Sequence, residues 1–301
     1  MTTGSSRAVA LVGAGNMGGA MARNLLVRGW QVRVHDIDRP KVDDLARAGA
    51  VPCEDAARAA SGVALTIVCV VDAAQCEEVL FAASGVCARA GGAAGHAVML
   101  CPTIGPHDTE SLAGRLDALG AGAIDAPMSG GPARAAEGSM SLMVACDEAL
   151  FETHRELIEA LSSRVFRLGT RVGDGARAKL VNNLLAGINL VGAAEALVIA
   201  QRMGLDAARM LEVIEQSSGQ SWVGSDRMRR ALAGDYEPRA HLTLLEKDTG
   251  LALQAARSLG LEGPLGAAAH EVFVRAHADG FAGLDDAAVF RWLAQAMAAP
   301  R

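Results

Sequence analysis

A turn with three spaced glycines, close to the start of the chain, is the first feature that could carry chemistry. An apolar run at residues 8–12 precedes the turn and a helical pattern at 17–28 follows it. The first glycine permits a sharp turn, the second lets a pyrophosphate approach the backbone, and the third lets the helix pack on the strand. The pattern therefore predicts a dinucleotide-binding turn at the start of a helix. Its predicted cofactor-binding residues are Gly13, Gly15, Asn16, Met17 and Gly18.

Asp36 ends the second apolar run, at residues 31–36. An acidic side chain at this point can accept hydrogen bonds from the adenosine ribose hydroxyls, and its charge repels a 2′-phosphate. Asp36 therefore favours NAD over NADP, although Arg39, three residues further on, could weaken that preference. For Asp36 taken alone, a solvated carboxylate at a strand end is the alternative. We predict NAD as the cofactor, with NADP as the second choice.

Two more loops lie at the carboxyl ends of apolar runs, where ligands bind in open α/β sheets. Val70 and Val71 stand at the end of the run at 64–71, and Thr103 follows the run at 97–101. We predict that all three residues contact the cofactor. The alternative for Thr103 is an N-cap ahead of the helix that Pro106 opens.

Three further motifs follow in order along the chain. Residues 125–131 read DAPMSGG, residues 169–183 read GTRVGDGARAKLVNN, and residues 247–248 read KD. Together with GAGNMGGAMARNL, they resemble the β-hydroxyacid dehydrogenases, a family that includes 3-hydroxyisobutyrate dehydrogenase and tartronate semialdehyde reductase. The resemblance runs from about residue 8 to about residue 290. It implies an oxidoreductase that uses NAD(P) and acts on small hydroxy acids.

The residue types in these motifs suit that chemistry. Lys179 and Asn183 are one turn apart, so they share one face of a helix. The turn formed by Ser129, Gly130 and Gly131 carries backbone N–H groups that can converge on a carboxylate. A carboxylate in this nest, a lysine near the carbinol and a nicotinamide opposite would be sufficient for hydride transfer.

Lys179 is the predicted general acid/base, which takes the alcohol proton in oxidation and returns it in reduction. For work near neutral pH its pKa must be lowered, and burial lowers the pKa of a lysine. An ordinary exposed helix lysine is the alternative. In the family, the counterpart of Asn183 binds substrate and that of Lys247 touches the cofactor, so the resemblance implies these roles here. Without it, Lys247 and Asp248 could be a solvated charge pair.

Arg134 stands where the family usually has glycine, and this resembles the subgroup of L-threonate dehydrogenase and its relatives, which act on longer polyhydroxylated acids. A guanidinium beside the nest could hold the far end of a four-carbon acid. The alternative is an arginine that points into solvent. We include Arg134 among the predicted substrate-binding residues, with Ser129, Gly130, Gly131 and Asn183.

The elements that must position these residues change character halfway along the chain. Strand-like runs alternate with helical patterns in the first half, at 8–12, 31–36, 64–71, 97–101, 122–126, 141–146 and 164–168. From Gly175 onward the patterns are helical only. The fold class predicted is α/β, with an N-terminal Rossmann-type doubly wound sheet followed by an all-α C-terminal domain and joined to it by a long interdomain helix. We predict an NAD(P)-binding domain at 1–168 and a substrate and dimerisation domain at 169–301.

Composition restricts the partners. The net charge is −6 over 301 residues with no basic block, which argues against nucleic acid. Six cysteines without a C-x-x-C pair indicate reduced core residues of a cytoplasmic protein, with no metal site. Residues 180–200 are long enough to span a bilayer, but asparagines and a glutamate interrupt them. A buried soluble helix explains this segment better, and it predicts a homodimer or homotetramer with no membrane contact.

We therefore predict an oxidoreductase that transfers a hydride between a small 3-hydroxy acid and NAD. The acid could be a four-carbon sugar acid such as L-threonate, or 3-hydroxyisobutyrate. One alternative is a semialdehyde reductase that uses NAD(P)H, similar to tartronate semialdehyde reductase. A non-catalytic dinucleotide-binding scaffold is the alternative of another class.

Overall fold

The computed structural model describes residues 7–297 of the chain. The chain divides into two compact units, Met1–Lys179 and Leu180–Arg301. The domain boundary predicted between residues 168 and 169 lies at the end of the last strand of the first unit. A long helix begins at Asp174 and continues through the division between the units.

In residues 7–179, nine strands form one sheet. They are β1 (Ala8–Val12), β2 (Gln31–His35), β3 (Val51–Pro52), β4 (Leu65–Val68), β5 (Ala97–Leu100), β6 (Gly122–Asp125), β7 (Met128–Ser129), β8 (Met140–Ala145) and β9 (Ser162–Gly169). The order is β3-β2-β1-β4-β5-β6-β8-β7, with β9 also paired to β8. The strands from β3 to β6 pair in parallel, and β8 is antiparallel to β6 and β7. The order reverses between β1 and β4, as in a doubly wound sheet, which confirms the predicted Rossmann-type fold.

The helices of the first unit cover both faces of this sheet. They are α1 (Asn16–Val27), α2 (Arg39–Arg47), α3 (Ala56–Ala60), α4 (Ala73–Phe81), α5 (Pro106–Ala118), α6 (Gly131–Glu137) and α7 (Glu148–Leu161). Successive side chains of β1 point to opposite faces. Val9 and Leu11 accordingly lie in one apolar cluster with residues of α1 and α7, whereas Ala10 and Val12 lie in another with residues of α3 and α5.

The second unit is helical, as predicted. The long helix α8 (Asp174–Arg202) is followed by α9 (Ala207–Glu215), α10 (Trp222–Leu232), α11 (Leu242–Ser258), α12 (Pro264–Ala276) and α13 (Val289–Ala296). Its core includes Leu190, Leu197, Phe273 and Trp292. These side chains come from the long helix and from the last two helices, so packing around α8 organises the unit.

Four short elements escape prediction from the sequence. The strands β3 and β7 contain two residues each, and the helices α3 and α6 contain five and seven. Such segments are too short to show a period of two or of 3.6 residues. The β7 segment matters most here, because it carries Ser129 into a hairpin with β8, opposite Ser141.

Within residues 7–297, the helix Asp174–Arg202 is long and apolar enough to cross a membrane by length and composition, and 44% of its most apolar window is buried. Core helices of soluble proteins pass the same test. Leu190, Ala194 and Leu197 on this helix are fully buried in the core of the second unit. Those contacts are typical of a core helix.

Candidate functional site

The glycine turn follows β1, and two of its glycines are required by packing. Gly13 has a positive φ of 97°, and a Cβ added to it would lie 2.3 Å from the carbonyl oxygen of Cys69. A Cβ on Gly18 would lie 1.9 Å from the carbonyl oxygen of Gly13. No side chain fits at either position. These two residues therefore let α1 return close to the strand that precedes it.

Gly15 differs from the other two glycines of the turn. Its φ of −64° is open to any residue, and a Cβ added to it would meet no heavy atom within 4 Å. The packing of the protein does not require a glycine there. The open space lies at the N-terminus of α1, whose first turn carries no acidic residue. Open space at a helix N-terminus fits the pyrophosphate of a dinucleotide, and Asn16 and Met17 open the same helix.

Asp36 follows β2 and lies beside the turn. Its Oδ2 accepts a hydrogen bond of 2.6 Å from the backbone N–H of Ala14, and its Oδ1 accepts one of 2.7 Å from the N–H of Asp38. The two bonds fix the direction of the carboxylate. Each oxygen retains a further acceptor position, so the carboxylate can still accept hydrogen bonds from ribose hydroxyls.

The loops after β4 and β5 lie along the same edge of the sheet. Backbone bonds join the strand ends there, from Cys69 N–H to the Val12 carbonyl and from Cys101 N–H to the Val68 carbonyl. Val70 and Val71 lie in the first of these loops, and Thr103 lies in the second. The strand predicted at 64–71 ends at Val68, so both valines belong to the loop.

Thr103 does not cap the helix that follows it. The N-cap of α5 is Gly105, with an extended backbone at φ −62° and ψ 145°. The alternative interpretation of Thr103 as an N-cap is therefore wrong. Its predicted contact with the cofactor stays a prediction.

A cavity of about 410 Å³ opens beside the glycine turn. It borders the turn at Ala14, Gly15 and Asn16 and is otherwise lined by residues of α1, α2 and α6. Its charged residues are Arg23, Lys41 and Asp44, and Arg23 forms an ion pair with Asp44. Asp36, Val70, Val71 and Thr103 do not line it. The cavity therefore meets the predicted cofactor site only at the glycine turn.

The segment Ser129–Gly131 connects β7 to α6. Gly130 and Gly131 have positive φ angles of 135° and 75°. A Cβ on Gly130 would lie 2.9 Å from the Cδ of Arg134 and 3.3 Å from the Cα of Met140. Arg134 is an exposed residue, and its Cβ and Cδ lie against Gly130. Arg134 therefore lies beside the predicted carboxylate nest.

Lys179 is buried, with 8% of its surface exposed. It belongs to the second turn of α8, on the part of the helix that lies in the first unit. The alternative of an ordinary exposed helix lysine is therefore wrong. Burial disfavours a charged ammonium unless it is paired.

Asp125 is a buried carboxylate to which the sequence analysis assigned no role. It ends β6, and its Oδ2 accepts hydrogen bonds from the backbone N–H groups of Gly173, at 2.8 Å, and Ala176, at 3.1 Å. Burial raises the pKa of Asp125 to about 6, against the opposite effect of the backbone N–H groups of Ala176, Gly173 and Gly175. The only signal in the sequence is its place at the head of DAPMSGG.

In the second unit, one carboxylate holds two predicted site residues. Asp248, 6% exposed, accepts a 2.6 Å hydrogen bond from Nδ2 of Asn183 and a 2.7 Å bond from Nζ of Lys247. Asn182 donates to Oδ1 of Asn183 at 3.0 Å. A solvated charge pair of Lys247 and Asp248 is therefore the wrong description, because Asp248 is buried and orients Asn183. In the sequence, the only signal for Asp248 is the lysine that precedes it.

The cysteines lie mostly inside the apolar clusters of the first unit. Burial raises the pKa of both Cys69 and Cys76 to about 12, and it raises the pKa of Cys101 well above its usual value. Such thiols stay protonated at neutral pH and are poor nucleophiles. Among residues 7–297, no group of three or more His, Cys, Asp or Glu side chains is arranged to hold a metal ion.

Fold and site define a dinucleotide-dependent oxidoreductase. A family described as the NAD binding domain of 6-phosphogluconate dehydrogenase matches residues 8–169. A second, described as NAD-binding of NADP-dependent 3-hydroxyisobutyrate dehydrogenase, matches residues 173–293. The chain belongs to the β-hydroxyacid dehydrogenase family, and it is an NAD(P)-binding hydroxyacid dehydrogenase.

Among characterised relatives, L-threonate dehydrogenase of Cupriavidus necator is 37% identical over 95% of this chain and 96% of its own length. The 2-hydroxy-3-oxopropionate reductase of Escherichia coli K12 is 34% identical over 94% of this chain and 95% of its own.

Solved structures agree with these relatives. A 3-hydroxyisobutyrate dehydrogenase from Salmonella typhimurium superimposes with a TM-score of 0.88 at 34% identity, over 95% of this chain and 99% of that one. Psf3 in complex with NADP+ and 2-OPP superimposes with a TM-score of 0.87 at 29% identity, over 95% of this chain and 99% of that one.

We expect Gly15→Ala to fold normally and to bind NAD(P) about tenfold more weakly, because the added methyl occupies the closest approach of the pyrophosphate. Isothermal titration calorimetry measures the affinity and thermal unfolding measures the stability. Gly114→Ala is the matched control, since its Cβ also meets nothing within 4 Å and its φ is not positive. Unchanged NAD(P) affinity in Gly15→Ala would contradict the assignment of this turn.

Proposed function

We propose that this enzyme oxidises the carbinol of a small 3-hydroxy acid, with Lys179 as the general acid/base. The supporting observation is a lysine 8% exposed at the start of a helix in a protein of this family. When bound, NAD supplies the hydride acceptor. Lys179 takes the hydroxyl proton in oxidation and returns it in reduction, a role that requires the neutral amine before the proton is taken.

The other site residues bind and orient. We assign the substrate carboxylate to the backbone N–H groups of Ser129, Gly130 and Gly131. We assign a substrate hydroxyl to Asn183, which Asp248 holds in one direction. The residues proposed to bind the cofactor are Gly13, Gly15, Asn16, Met17, Gly18, Asp36, Val70, Val71, Thr103 and Lys247. Residues 1–168 would then form the NAD(P)-binding domain and 169–301 the substrate and dimerisation domain.

We infer that the substrate is a four-carbon sugar acid of the L-threonate type. Two observations support this choice, the relative from Cupriavidus necator named L-threonate dehydrogenase and the position of Arg134 beside Gly130. A semialdehyde reductase is the second candidate, favoured by the 2-hydroxy-3-oxopropionate reductase among the relatives. A non-catalytic scaffold is disfavoured, because Lys179, Asn183 and the glycines of the nest are all present.

Asp36 supports NAD as the preferred cofactor. Its carboxylate is fixed by the N–H groups of Ala14 and Asp38, so it cannot easily turn away from a ligand at the adenosine ribose. A 2′-phosphate would bring further negative charge to the same place. The exposed Arg39 forms an ion pair with Asp43, which reduces its capacity to compensate.

Lys179→Ala should lower kcat for hydroxy-acid oxidation by about 100- to 10 000-fold, because it removes the proton acceptor. NAD binding should be unchanged, since the glycine turn is intact. Steady-state NADH formation and calorimetric titration measure the two properties. An enzyme with full turnover after this substitution would rule out Lys179 as the base.

L-Threonate should have the highest kcat/KM in a panel with D-glycerate, L-serine and 3-hydroxyisobutyrate, each tested with NAD and NADP. NAD should be preferred. Arg134→Gly should lower kcat/KM for L-threonate by about tenfold, the effect of losing one charge-assisted hydrogen bond. It should leave the three-carbon acid D-glycerate within twofold. An equal loss of kcat/KM for both acids would show that Arg134 does not distinguish substrates by chain length.

We also propose a cytoplasmic homo-oligomer, a dimer or tetramer, without membrane or nucleic-acid partners. Within the second unit, an apolar stripe runs along one face of α8. Val181 is 71% exposed, Leu185 57%, Ile199 38% and Met203, just after the helix, 73%. With Gly192 and Ala196 included, successive members are three, four or seven residues apart, and this spacing defines one side of a helix. Exposed apolar area of this kind is typical of an interface between subunits.

Sedimentation velocity should therefore give a dimer or tetramer for the purified chain. Leu185→Glu places a charge on the stripe and should shift the protein toward the monomer. Glu195→Lys changes the charge of an exposed residue beside the stripe. As the control, it shows whether a change of charge alone shifts the oligomeric state. A monomeric wild-type protein at micromolar concentration would contradict the proposal.

A further inference from the structure

The first turn of α8 is tied to the sheet by a single buried carboxylate. Asp125, 1% exposed, ends β6, and its Oδ2 accepts hydrogen bonds from the N–H groups of Gly173 and Ala176. The first N–H groups of a helix have no partner within the helix. Here they are satisfied by a side chain that comes from 48 and 51 residues earlier in the chain.

The start of α8 packs closely against β8 and Asp125. A Cβ on Gly175 would lie 2.6 Å from the carbonyl oxygen of Met143, on β8, and 2.8 Å from the carboxyl carbon of Asp125. A second restraint lies in the same part of the helix, where Arg177 pairs with Glu110 of α5 at 2.5 Å and with Asp174 at 3.0 Å. The start of α8 is thereby held against β6, β8 and α5.

Lys179 lies three residues after Ala176 on this helix. An α-helix is stiff over one turn, so the placement of its first turn determines where the next side chains begin. Asp125 also stands four residues before Ser129 in the segment that leads to the nest. A backbone hydrogen bond from Met143 N–H to the Pro127 carbonyl, at 3.0 Å, fixes that segment to β8. One residue therefore links the nest segment to the lysine helix.

We propose that Asp125 is a positioning residue of the reaction, which sets Lys179 at its working distance from the Ser129–Gly131 nest. The inference rests on the proposed function, since it needs Lys179 to be the proton carrier. Misplacement of a catalytic group by about 1 Å can cost about 100-fold in rate. Asp125 therefore controls kcat through Lys179 without touching substrate itself.

Other capping aspartates of the first unit differ in their surroundings. Asp147 caps α7 by accepting from the N–H groups of Ala149 and Leu150, but it is exposed and α7 carries none of the proposed site residues. A helix needs only such a surface cap to be stable. Burial raises the pKa of Asp125 to about 6. Burial of a carboxylate is unfavourable for folding. A buried cap is therefore explained where the cap has to fix the position of the helix.

The test compares Asp125→Ala and Asp125→Asn with the control Asp147→Ala. Turnover is measured with L-threonate and NAD, or with the acid of highest kcat/KM in the panel, and is expressed per NAD site counted by calorimetry. Asp125→Ala should lower kcat per site by about 100-fold while KM for NAD changes less than twofold. Asp125→Asn keeps one acceptor oxygen and should lower kcat by about tenfold, less than Asp125→Ala does. Asp147→Ala should lower the melting temperature and leave kcat unchanged.

A double-mutant cycle separates positioning from a general structural effect. If Asp125 acts through Lys179, Asp125→Asn should change the residual rate of Lys179→Ala by less than twofold. The same fold-loss in both backgrounds would overturn the inference, as would a folded Asp125 variant with wild-type kcat. Should Asp125→Ala fail to fold, the effect of Asp125→Asn on kcat in the wild type and in Lys179→Ala decides the question. An inactive Lys179→Ala beside fully active Asp125 variants overturns this inference alone, whereas a fully active Lys179→Ala overturns the proposed function as well.

Discussion

Parallel hydrogen bonding of β1 to its two neighbours is the constraint on which the rest of the first unit depends. Ala8–Val12 pairs in register with Gln31–His35 on one side, and the last three residues of β1 pair with β4 on the other. Because the strands run in one direction, the chain leaves each of them at the same edge of the sheet. The glycine turn, Asp36 and the loops after β4 and β5 are neighbours for that reason alone. The approach of this turn to Cys69, after β4, excludes a Cβ at the first glycine, and the return of α1 onto the turn excludes one at the third.

Four buried polar side chains lie at the places where the chemistry is proposed. Asp125, Lys179, Asn183 and Asp248 are each less than a tenth exposed. Burial of a polar group is unfavourable unless a hydrogen bond replaces water. Asp125 is bonded to the start of α8, and Asp248 to both Asn183 and Lys247. Apolar residues of similar volume would stabilise the fold at least as well. What the polar contacts add is direction, and transfer of a proton and a hydride requires groups held in direction as well as in distance.

The sequence predicted those parts of the molecule that local patterns record. Glycine spacing, apolar runs and helical periodicity gave the doubly wound sheet, the helical second unit and the position of α8. Lys179 could be singled out only through the family pattern, because its burial depends on residues distant in sequence. Asp125 and Asp248 could not be assigned roles, since their partners at Gly173 and Asn183 are separated from them by 48 and 65 residues. The two-residue strand β7 was missed because its pairing with β8, and not its own propensity, makes it a strand.

The glycine turn also shows why a motif of this kind predicts fold more securely than function. Gly13 is required by the close approach of the turn to Cys69, and Gly18 by the close approach of α1 to Gly13, so both would remain in a chain that had lost its cofactor. Gly15 has no such role, because its φ is ordinary and the space around its missing side chain is empty. Only the middle glycine therefore reports on a ligand. The same distinction applies at α8, where the glycines at 173 and 175 serve the contact with Asp125 and β8, whereas the proposed chemistry belongs to the buried lysine that follows them.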